Sequence, residues 1–216
     1  MDSKEAAQKN VTAYIIQSQE DELKRIAGEL HEGVGQTLYS IYTGLGFIKQ
    51  AAKDDTIKGY VGDMAEQLEK TIQEIRMLAV ELHPPALTSM GIIPAMKSYL
   101  KLYTSTFGVE IDFKVLGEEM PLSYGKRITL FRVCQEALAN IARYADTAKA
   151  EMTFTWGKGY LAVSICDQGK GFDVGKVQEQ SMGLAAMRER MQLIGGEWTL
   201  TSSIGAGTAI DLYLPI

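Results

Sequence analysis

The 216-residue sequence has few cysteines, no long apolar run and no excess of positive charge. Its two cysteines, Cys134 and Cys166, form no CxxC pair and are too few for a disulfide framework, which favours a reducing, cytoplasmic compartment. Without an uninterrupted apolar segment we expect the chain as given to be soluble, with no signal peptide and no membrane-spanning helix. The alternative is that it is the cytoplasmic part of a membrane-associated or larger protein. The 22 basic and 27 acidic residues give a net charge of −5, which argues against a protein that binds nucleic acid.

Two apolar repeats with helical spacing occupy the first part of the chain. They run over residues 23–48 and 57–82, in steps of three or four residues that average about 3.6. They predict two amphipathic helices joined by a polar turn at 51–59, within a helical part that starts near Val11. Two helices alone leave much of their apolar stripes uncovered. We therefore expect a homodimer in which two hairpins form a four-helix bundle.

The sequence His83-Pro84-Pro85 ends the second helix, because proline lacks a backbone N–H and disfavours the helical conformation of the preceding residue. We therefore expect a helical domain at 1–83, a linker at 84–90 and a second domain at 91–216. The predicted elements of the second domain are helices at 92–107, 122–144 and 182–194, strands at 109–115, 152–156, 161–165, 198–200 and 210–214, and a mobile glycine-rich loop at 167–181. These elements predict an α+β sandwich, a sheet covered on one face by helices.

Three short motifs in the second domain have the residue types of a nucleotide site. Glu136 and Asn140 lie four residues apart, on one face of a predicted helix. Glycine-rich segments follow one strand, open a helix and precede the last strand, and glycine permits positive φ and close backbone approach. Taken singly, each motif is explained as well by a solvated helix surface or a hairpin turn. The residues concerned are Glu136, Asn140, Asp167, Gly169, Gly171, Gly183, Leu184 and Thr208.

In order and spacing these motifs resemble the N box and the glycine boxes of the GHKL, or Bergerat-type, ATP-binding fold of histidine kinases, gyrase and mismatch-repair proteins. No Walker A motif competes with this interpretation. The resemblance implies that Asp167 accepts a hydrogen bond from the adenine amine and that Asn140 supplies an oxygen to Mg²⁺. The helix that begins near Gly183 would offer backbone N–H groups to phosphate. Arg143 and Tyr144 fill positions where kinases often have a basic residue followed by His or Tyr beside the nucleotide.

The segment around Gly183 leaves two points open. Arg188 and Arg190 either contact phosphate or form a solvated helix face. Ser181 stands where many relatives have a further glycine, so the phosphate contacts of the loop are less defined than the role of Asp167.

His31 lies within the first predicted helix, in the sequence Glu29-Leu-His-Glu-Gly-Val-Gly-Gln36. The two glycines of this segment each destabilise a helix interior by about 1 kcal/mol relative to alanine, so a local reason for them is expected. At 100° per residue, His31 falls on the flank of the apolar stripe and is solvent-accessible, whereas Glu32 and Gln36 share a polar face. The glycines would keep the surroundings of the histidine open for a docking domain.

Followed by the nucleotide motifs, this segment resembles the His-Asp/Glu-x-x-x-Gln motif of the sensor histidine kinases that typically signal to NarL/LuxR-type response regulators. The resemblance runs from about Leu23 to the C-terminus. It implies that ATP phosphorylates His31, that Glu32 orients the imidazole, and that the phosphoryl group passes to a regulator aspartate. Gln36 would position water for removing phosphate from the regulator. Because Glu32 replaces the more usual aspartate, the balance of kinase and phosphatase activity stays open, and His83 is assigned no chemistry.

Two other functions are compatible with the same fold. A GHKL protein can bind ATP as a scaffold or regulator without phosphorylating histidine, or it can be a serine kinase of the anti-sigma type. An acid-labile phosphoprotein distinguishes the histidine kinase from both. The helical histidine hairpin counts against the serine kinase.

Overall fold

The computed structural model describes Ser18, residues 21–177 and residues 181–216. The predicted helical start near Val11 and positions 178–180 of the predicted mobile loop lie outside the described residues. The chain divides into two compact units, Met1–Pro85 and Ala86–Ile216. None of the helices in the described ranges is long and apolar enough to cross a membrane.

The first unit is a helical hairpin. Its elements are α1 at residues 21–28, a π-helical turn Glu29–Val34, α2 Gly35–Ala51 and α3 Asp55–Leu82. The short connection at 52–54 makes α2 and α3 antiparallel neighbours, and they pack against each other. Asp54 caps α3 by accepting hydrogen bonds from the backbone N–H groups of Thr56, at 2.7 Å, and Ile57. The turn is therefore shorter than the predicted 51–59, because this cap starts the helix early.

The end of α3 agrees with the effect predicted for the two prolines. His83, the residue after the helix, has an extended backbone with φ −155° and ψ 111°. The predicted linker at 84–90 is, however, largely occupied by a short helix, α4 Pro85–Ser89. Proline is well suited to the first position of a helix, because its fixed φ is helical and the first N–H has no intrahelical partner.

Much of the apolar surface of the hairpin is uncovered in the single chain, as the repeats predict. No residue of α2 is buried. Ile41, Ile48 and Ile57, all members of the predicted stripes, keep 50%, 54% and 52% of their surface exposed. The hairpin therefore has an apolar face available for another molecule.

The second unit is a five-stranded sheet with helices on one face, which confirms the predicted α+β sandwich. Its strands are β1 Glu110–Leu116, β2 Lys149–Gly157, β3 Tyr160–Asp167, β4 Glu197–Ser202 and β5 Thr208–Pro215, in the order β1-β2-β3-β5-β4. Its helices are α5 Ile92–Phe107, α6 Tyr124–Asn140, a π-helical turn Ile141–Ala145, α7 Val174–Val177 and α8 Met182–Leu193. β1 and β2 are parallel, and the other three pairs are antiparallel.

The alternation of apolar residues along the strands places one face of the sheet in the core. Phe154 of β2 pairs with Val163 of β3, and both are buried. On the helical side, Phe131 of α6 packs edge-on against Tyr99 of α5, with ring centroids 5.7 Å apart. The central strand of the sheet, β3, ends at Asp167.

Candidate functional site

A cavity of about 520 Å³ lies among the ends of α6 and β3 and the start of α8, a volume typical of small-molecule sites. Its apolar walls include Ile141, Ile165, Leu184, Leu200 and Ile210, and its polar lining includes Asn140, Tyr144, Asp167, Lys170, Lys176, Ser181 and Thr208. Gly171 and Phe172 also line it. Six of the residues predicted from the motifs are thus brought to one cavity: Asn140, Tyr144, Asp167, Gly171, Leu184 and Thr208.

Asp167 supplies a buried carboxylate to this cavity and is only 7% exposed. The backbone N–H of Gly169 donates to its Oδ1 at 2.8 Å, and the backbone of Thr208 also donates to the carboxylate. Burial raises the pKa of Asp167 above its ordinary value, against the opposing effect of these two hydrogen bonds. An ionised carboxylate can accept about four hydrogen bonds, so Asp167 keeps acceptor capacity for a ligand.

Glycines allow the loops beside Asp167 to touch backbone to backbone. A β-carbon at Gly169, Gly171 or Gly207 would overlap a backbone carbonyl oxygen of another segment, and at Gly207 that oxygen belongs to Asp167. Gly171 and Gly207 also have positive φ, 56° and 76°, a conformation that side chains disfavour. Gly169 is not among the described residues that line the cavity, and its part in the site is to hold Asp167 through its N–H.

The end of α6 is anchored where Asn140 reaches the cavity. Tyr103, a buried residue of α5, donates from its hydroxyl to the carbonyl oxygen of Leu138 at 2.9 Å. Burial, with a contribution from the charge of Asp167, raises the pKa of Tyr103 to about 12, so this hydroxyl stays protonated as a donor. The anchor holds the last turn of α6 and hence the position of Asn140.

Beyond Asn140 the helix continues as the π-helical turn Ile141–Ala145, which brings Tyr144 to the cavity. Arg143 is exposed in the same turn and is not among the cavity-lining residues of the described chain. The residue after the turn, Asp146, has a φ of 57°, which is unusual for a residue other than glycine. The long helix predicted to Tyr144 is therefore correct in extent, but its last turn is wider than an α-helix.

At the start of α8, Ser181 accepts from the backbone N–H of Leu184 at 3.3 Å and so caps the helix. Glu136 and Gly183 do not line the cavity, but they meet each other: a β-carbon at Gly183 would overlap Oε1 of Glu136. The two arginines of α8 are exposed and lie outside the cavity lining, which agrees with the solvated-face alternative. These are Arg188 and Arg190.

Sequence reasoning missed three polar residues at this site. Lys170 and Lys176 line the cavity, and Lys176 of α7 forms an exposed ion pair with Asp173 at 3.6 Å. Ser202, at the end of β4, hydrogen-bonds to two of the loops. Lys170 could have been found from its place inside the DxGxG segment, whereas the contacts of Ser202 have no local signature.

The predicted histidine segment lies in the first unit and has an unexpected helix type. His31, Glu32 and Gln36 are all exposed. The backbone N–H of Gly35 donates to the carbonyl oxygen of Leu30, a bond that spans five residues instead of four. The prediction of a uniform α-helix here is wrong, so the 100° wheel that placed Glu32 and Gln36 on one face does not apply across Glu29–Val34.

Two family models match the chain, one for each unit. Residues 22–87 match a model described as histidine kinase. Residues 125–216 match a model described as histidine kinase-, DNA gyrase B- and HSP90-like ATPase. The first match contains His31, and the second contains every described residue that lines the cavity.

The chain is also similar to characterised proteins. DegS of Brevibacillus brevis, a signal transduction histidine-protein kinase/phosphatase, is 30% identical over 205 residues, which cover 94% of this chain and 53% of DegS. The chain thus spans about half the length of this curated relative. The blue-light-activated histidine kinase EL346 of Erythrobacter litoralis aligns with a TM-score of 0.53 at 17% identity, over 90% of this chain and 60% of that one. Its histidine kinase domain aligns with the same score at 15% identity, over 82% and 95%. At these identities the two structures show a shared fold.

Proposed function

We propose that this chain, which belongs to the sensor histidine kinase family and contains both domains of the catalytic core, uses ATP to phosphorylate its own His31. The phosphoryl group then passes to an aspartate of a response regulator, expected to be of the NarL/LuxR type. The observation that carries this proposal is the exposed imidazole of His31 in the unit that matches the histidine kinase model. A nucleotide-sized cavity lies in the other unit of the same chain.

In the proposed reaction a ring nitrogen of His31 attacks the γ-phosphorus of ATP. The nitrogen–phosphorus bond forms as the phosphorus–oxygen bond to ADP breaks, and ADP leaves. The attacking nitrogen must be unprotonated, and Glu32 would accept a hydrogen bond from the other, protonated nitrogen. Open space near His31 supports its assignment as the phosphate acceptor, since a β-carbon at Gly33, two residues away, would meet nothing within 4 Å.

The cavity has the donor and acceptor pattern that an adenine nucleotide needs. The remaining acceptor capacity of Asp167 suits the exocyclic amine of adenine, and walls such as Ile165 and Ile210 suit the faces of the ring. Lys170 and Lys176 add positive charge for the phosphates. Tyr144, which is 61% exposed, can cover the nucleotide at the mouth of the cavity.

Asn140 is the residue proposed to hold Mg²⁺, through its side-chain oxygen, together with phosphate oxygens of the nucleotide. Within the described ranges no three His, Cys, Asp or Glu side chains are grouped so that they could hold a metal ion. Asn140 would hold the ion where it could neutralise charge on the phosphates.

Labelling with ATP that carries a labelled γ-phosphate tests the kinase proposal. The full chain should become labelled, and the label should be lost in acid and kept in alkali. His31→Gln should abolish labelling, whereas Glu29→Gln, an exposed change in the same π-helical turn, should preserve it. Asn140→Ala should also abolish it through loss of Mg²⁺ and ATP.

The other outcomes of this experiment identify the alternatives. Full labelling of His31→Gln would move the acceptor to another residue. An acid-stable label would indicate a serine kinase. Binding of ATP by the wild-type chain without any label would indicate a scaffold or regulator.

Removal of phosphate from the regulator is the second proposed activity, and Gln36 would position the water for it. Gln36 is exposed, and the name of the similar DegS protein includes a phosphatase. We expect Gln36→Ala to slow dephosphorylation of a phosphorylated receiver domain while leaving labelling of His31 intact. Thr37→Ala, at the next exposed position, serves as the matched control.

A further inference from the structure

Ser202 connects the end of β4 to two other backbone segments around the nucleotide cavity, although it is not itself among the described residues that line it. The backbone N–H of Phe172 donates to its Oγ at 3.0 Å. The Ser202 hydroxyl donates to the carbonyl oxygen of Gly207 at 2.8 Å. Its Oγ also lies 3.1 Å from Oγ1 of Thr208, which does line the cavity.

Counting hydrogens decides which hydroxyl donates in the contact between Ser202 and Thr208. A serine hydroxyl has one hydrogen and two acceptor positions. The hydrogen of Ser202 goes to the carbonyl oxygen of Gly207, because a carbonyl can only accept. Thr208 must therefore be the donor to Ser202, and its Oγ1 is left with acceptor positions only.

We propose that Ser202 is a positioning residue that fixes Thr208 as a hydrogen-bond acceptor, and that it thereby makes the site prefer adenine to hypoxanthine. The two bases differ at the 6-position, where adenine has an amine and hypoxanthine a carbonyl. An acceptor-only Thr208 can accept directly from the amine, but it cannot donate to the carbonyl. Ser202 has this role only if the cavity binds a nucleotide, as proposed for the function.

Asp167 does not by itself distinguish adenine from hypoxanthine. A carboxylate can accept from the amine of adenine, and it can equally accept from the ring N–H of hypoxanthine. Thr208 is the direct partner of Asp167 in the pairing of β3 with β5, so it places a second acceptor beside the first. Two adjacent acceptors match an amine, which has two hydrogens to give.

Calorimetric binding of ADP and inosine diphosphate to the full chain tests this role. We expect the wild-type chain to prefer ADP and Ser202→Ala to reduce that preference by about fivefold, the contribution of one neutral hydrogen bond. Without Ser202 the Thr208 hydroxyl can rotate and donate. Ser202→Thr keeps a hydroxyl and should retain the preference. Ser203→Ala, an exposed neighbour, should leave both affinities unchanged.

Each remaining result has a defined meaning. If Ser202→Ala weakens both nucleotides equally or leaves their ratio unchanged, Ser202 has no role in selecting the base. If the wild-type chain binds neither nucleotide, the proposed ATP site itself is wrong. Should Ser202→Ala not fold, Thr208→Val removes the acceptor directly, and an unchanged ratio in that variant would equally overturn the proposal.

Discussion

Gly207 passes so close to Asp167 that a β-carbon on the glycine would overlap the aspartate carbonyl oxygen. This contact lies where the start of β5 pairs with the end of β3. It allows the next residue, Thr208, to donate its backbone N–H to the Asp167 carboxylate. The geometry of the proposed adenine acceptor therefore depends on the absence of a side chain at Gly207.

We predict that Gly207→Ala destabilises the α/β unit more than Gly205→Ala and abolishes ADP binding. Gly205 is the matched control, because it also has positive φ, 80°, but a β-carbon there would meet nothing within 4 Å. Gly205→Ala should lower the free energy of unfolding by about 1–2 kcal/mol through backbone strain alone. Urea unfolding followed by tryptophan fluorescence reports on this unit, since Trp156 and Trp198 both lie in its sheet. Equal losses in the two variants would show that the contact with Asp167 does not matter.

The raised pKa of Asp167 predicts a pH dependence of stability. Below the ordinary pKa of aspartate, Asp167 is protonated in both the folded and the unfolded chain, and burial of the neutral side chain lowers the free energy of unfolding little. Above the raised pKa that Asp167 has in the folded chain, the residue is ionised in both states. Burial of the charged carboxylate then lowers the free energy of unfolding by its full amount. The free energy of unfolding of the wild-type chain should therefore fall relative to that of Asp167→Asn as the pH rises from below the ordinary pKa of aspartate to neutrality.

Parallel urea titrations of the two proteins across this range provide the measurement. Asp211→Asn is the control, because Asp211 is an exposed aspartate on the neighbouring strand β5. Its difference from the wild-type chain should show no comparable trend. A difference for Asp167→Asn that stays constant or changes in the opposite direction would contradict the assigned burial cost.

Elements with a uniform period could be predicted from the sequence. The pairing of Phe154 with Val163 follows from strict alternation, because apolar side chains on one face of a sheet must meet in the same core. The end of α3 follows from the backbone chemistry of Pro84 and Pro85. In each case the determinant lies within a few residues of the feature.

Features that interrupt a period, or that depend on distant residues, could not be predicted. The π-helical turn Glu29–Val34 changes the residue spacing locally, whereas a helical wheel assumes constant spacing. Asp146 adopts a positive φ at the end of the second π-helical turn, where glycine is the usual residue. Ser202 acquires its contacts because β4 and the loop containing Phe172 meet only in the folded chain.

The glycine two residues after His31 provides another test. In the described chain a β-carbon at Gly33 would meet nothing within 4 Å, so the fold of the hairpin does not require glycine there. Gly33→Ala should raise the free energy of unfolding by about 0.5–1 kcal/mol, because alanine restricts the unfolded chain. It should also slow labelling of His31, because a methyl group would occupy space that the incoming nucleotide needs.

Thermal unfolding followed by far-ultraviolet circular dichroism measures the first effect, and the initial rate of labelling measures the second. Gly59→Ala is the matched control, since Gly59 lies in α3 with equally open surroundings. It should stabilise the hairpin without slowing the labelling. Equal labelling rates for the two variants would mean that Gly33 is not needed for access to His31.

The exposed apolar face of the hairpin predicts a homodimer that a single charge can disrupt. Ile48 of α2 and Ile57 of α3 belong to the predicted stripes and are 54% and 52% exposed, so neither is fully used by the fold of the single chain. Ile48→Asp and Ile57→Asp should each lower the mass in sedimentation equilibrium from that of two chains to that of one, because a buried unpaired carboxylate is strongly unfavourable. Leu193→Asp, on an 83% exposed residue of the α/β unit, should leave the dimer intact. Were the wild-type chain monomeric, or were Leu193→Asp the variant that dissociates, the four-helix bundle would be the wrong assembly.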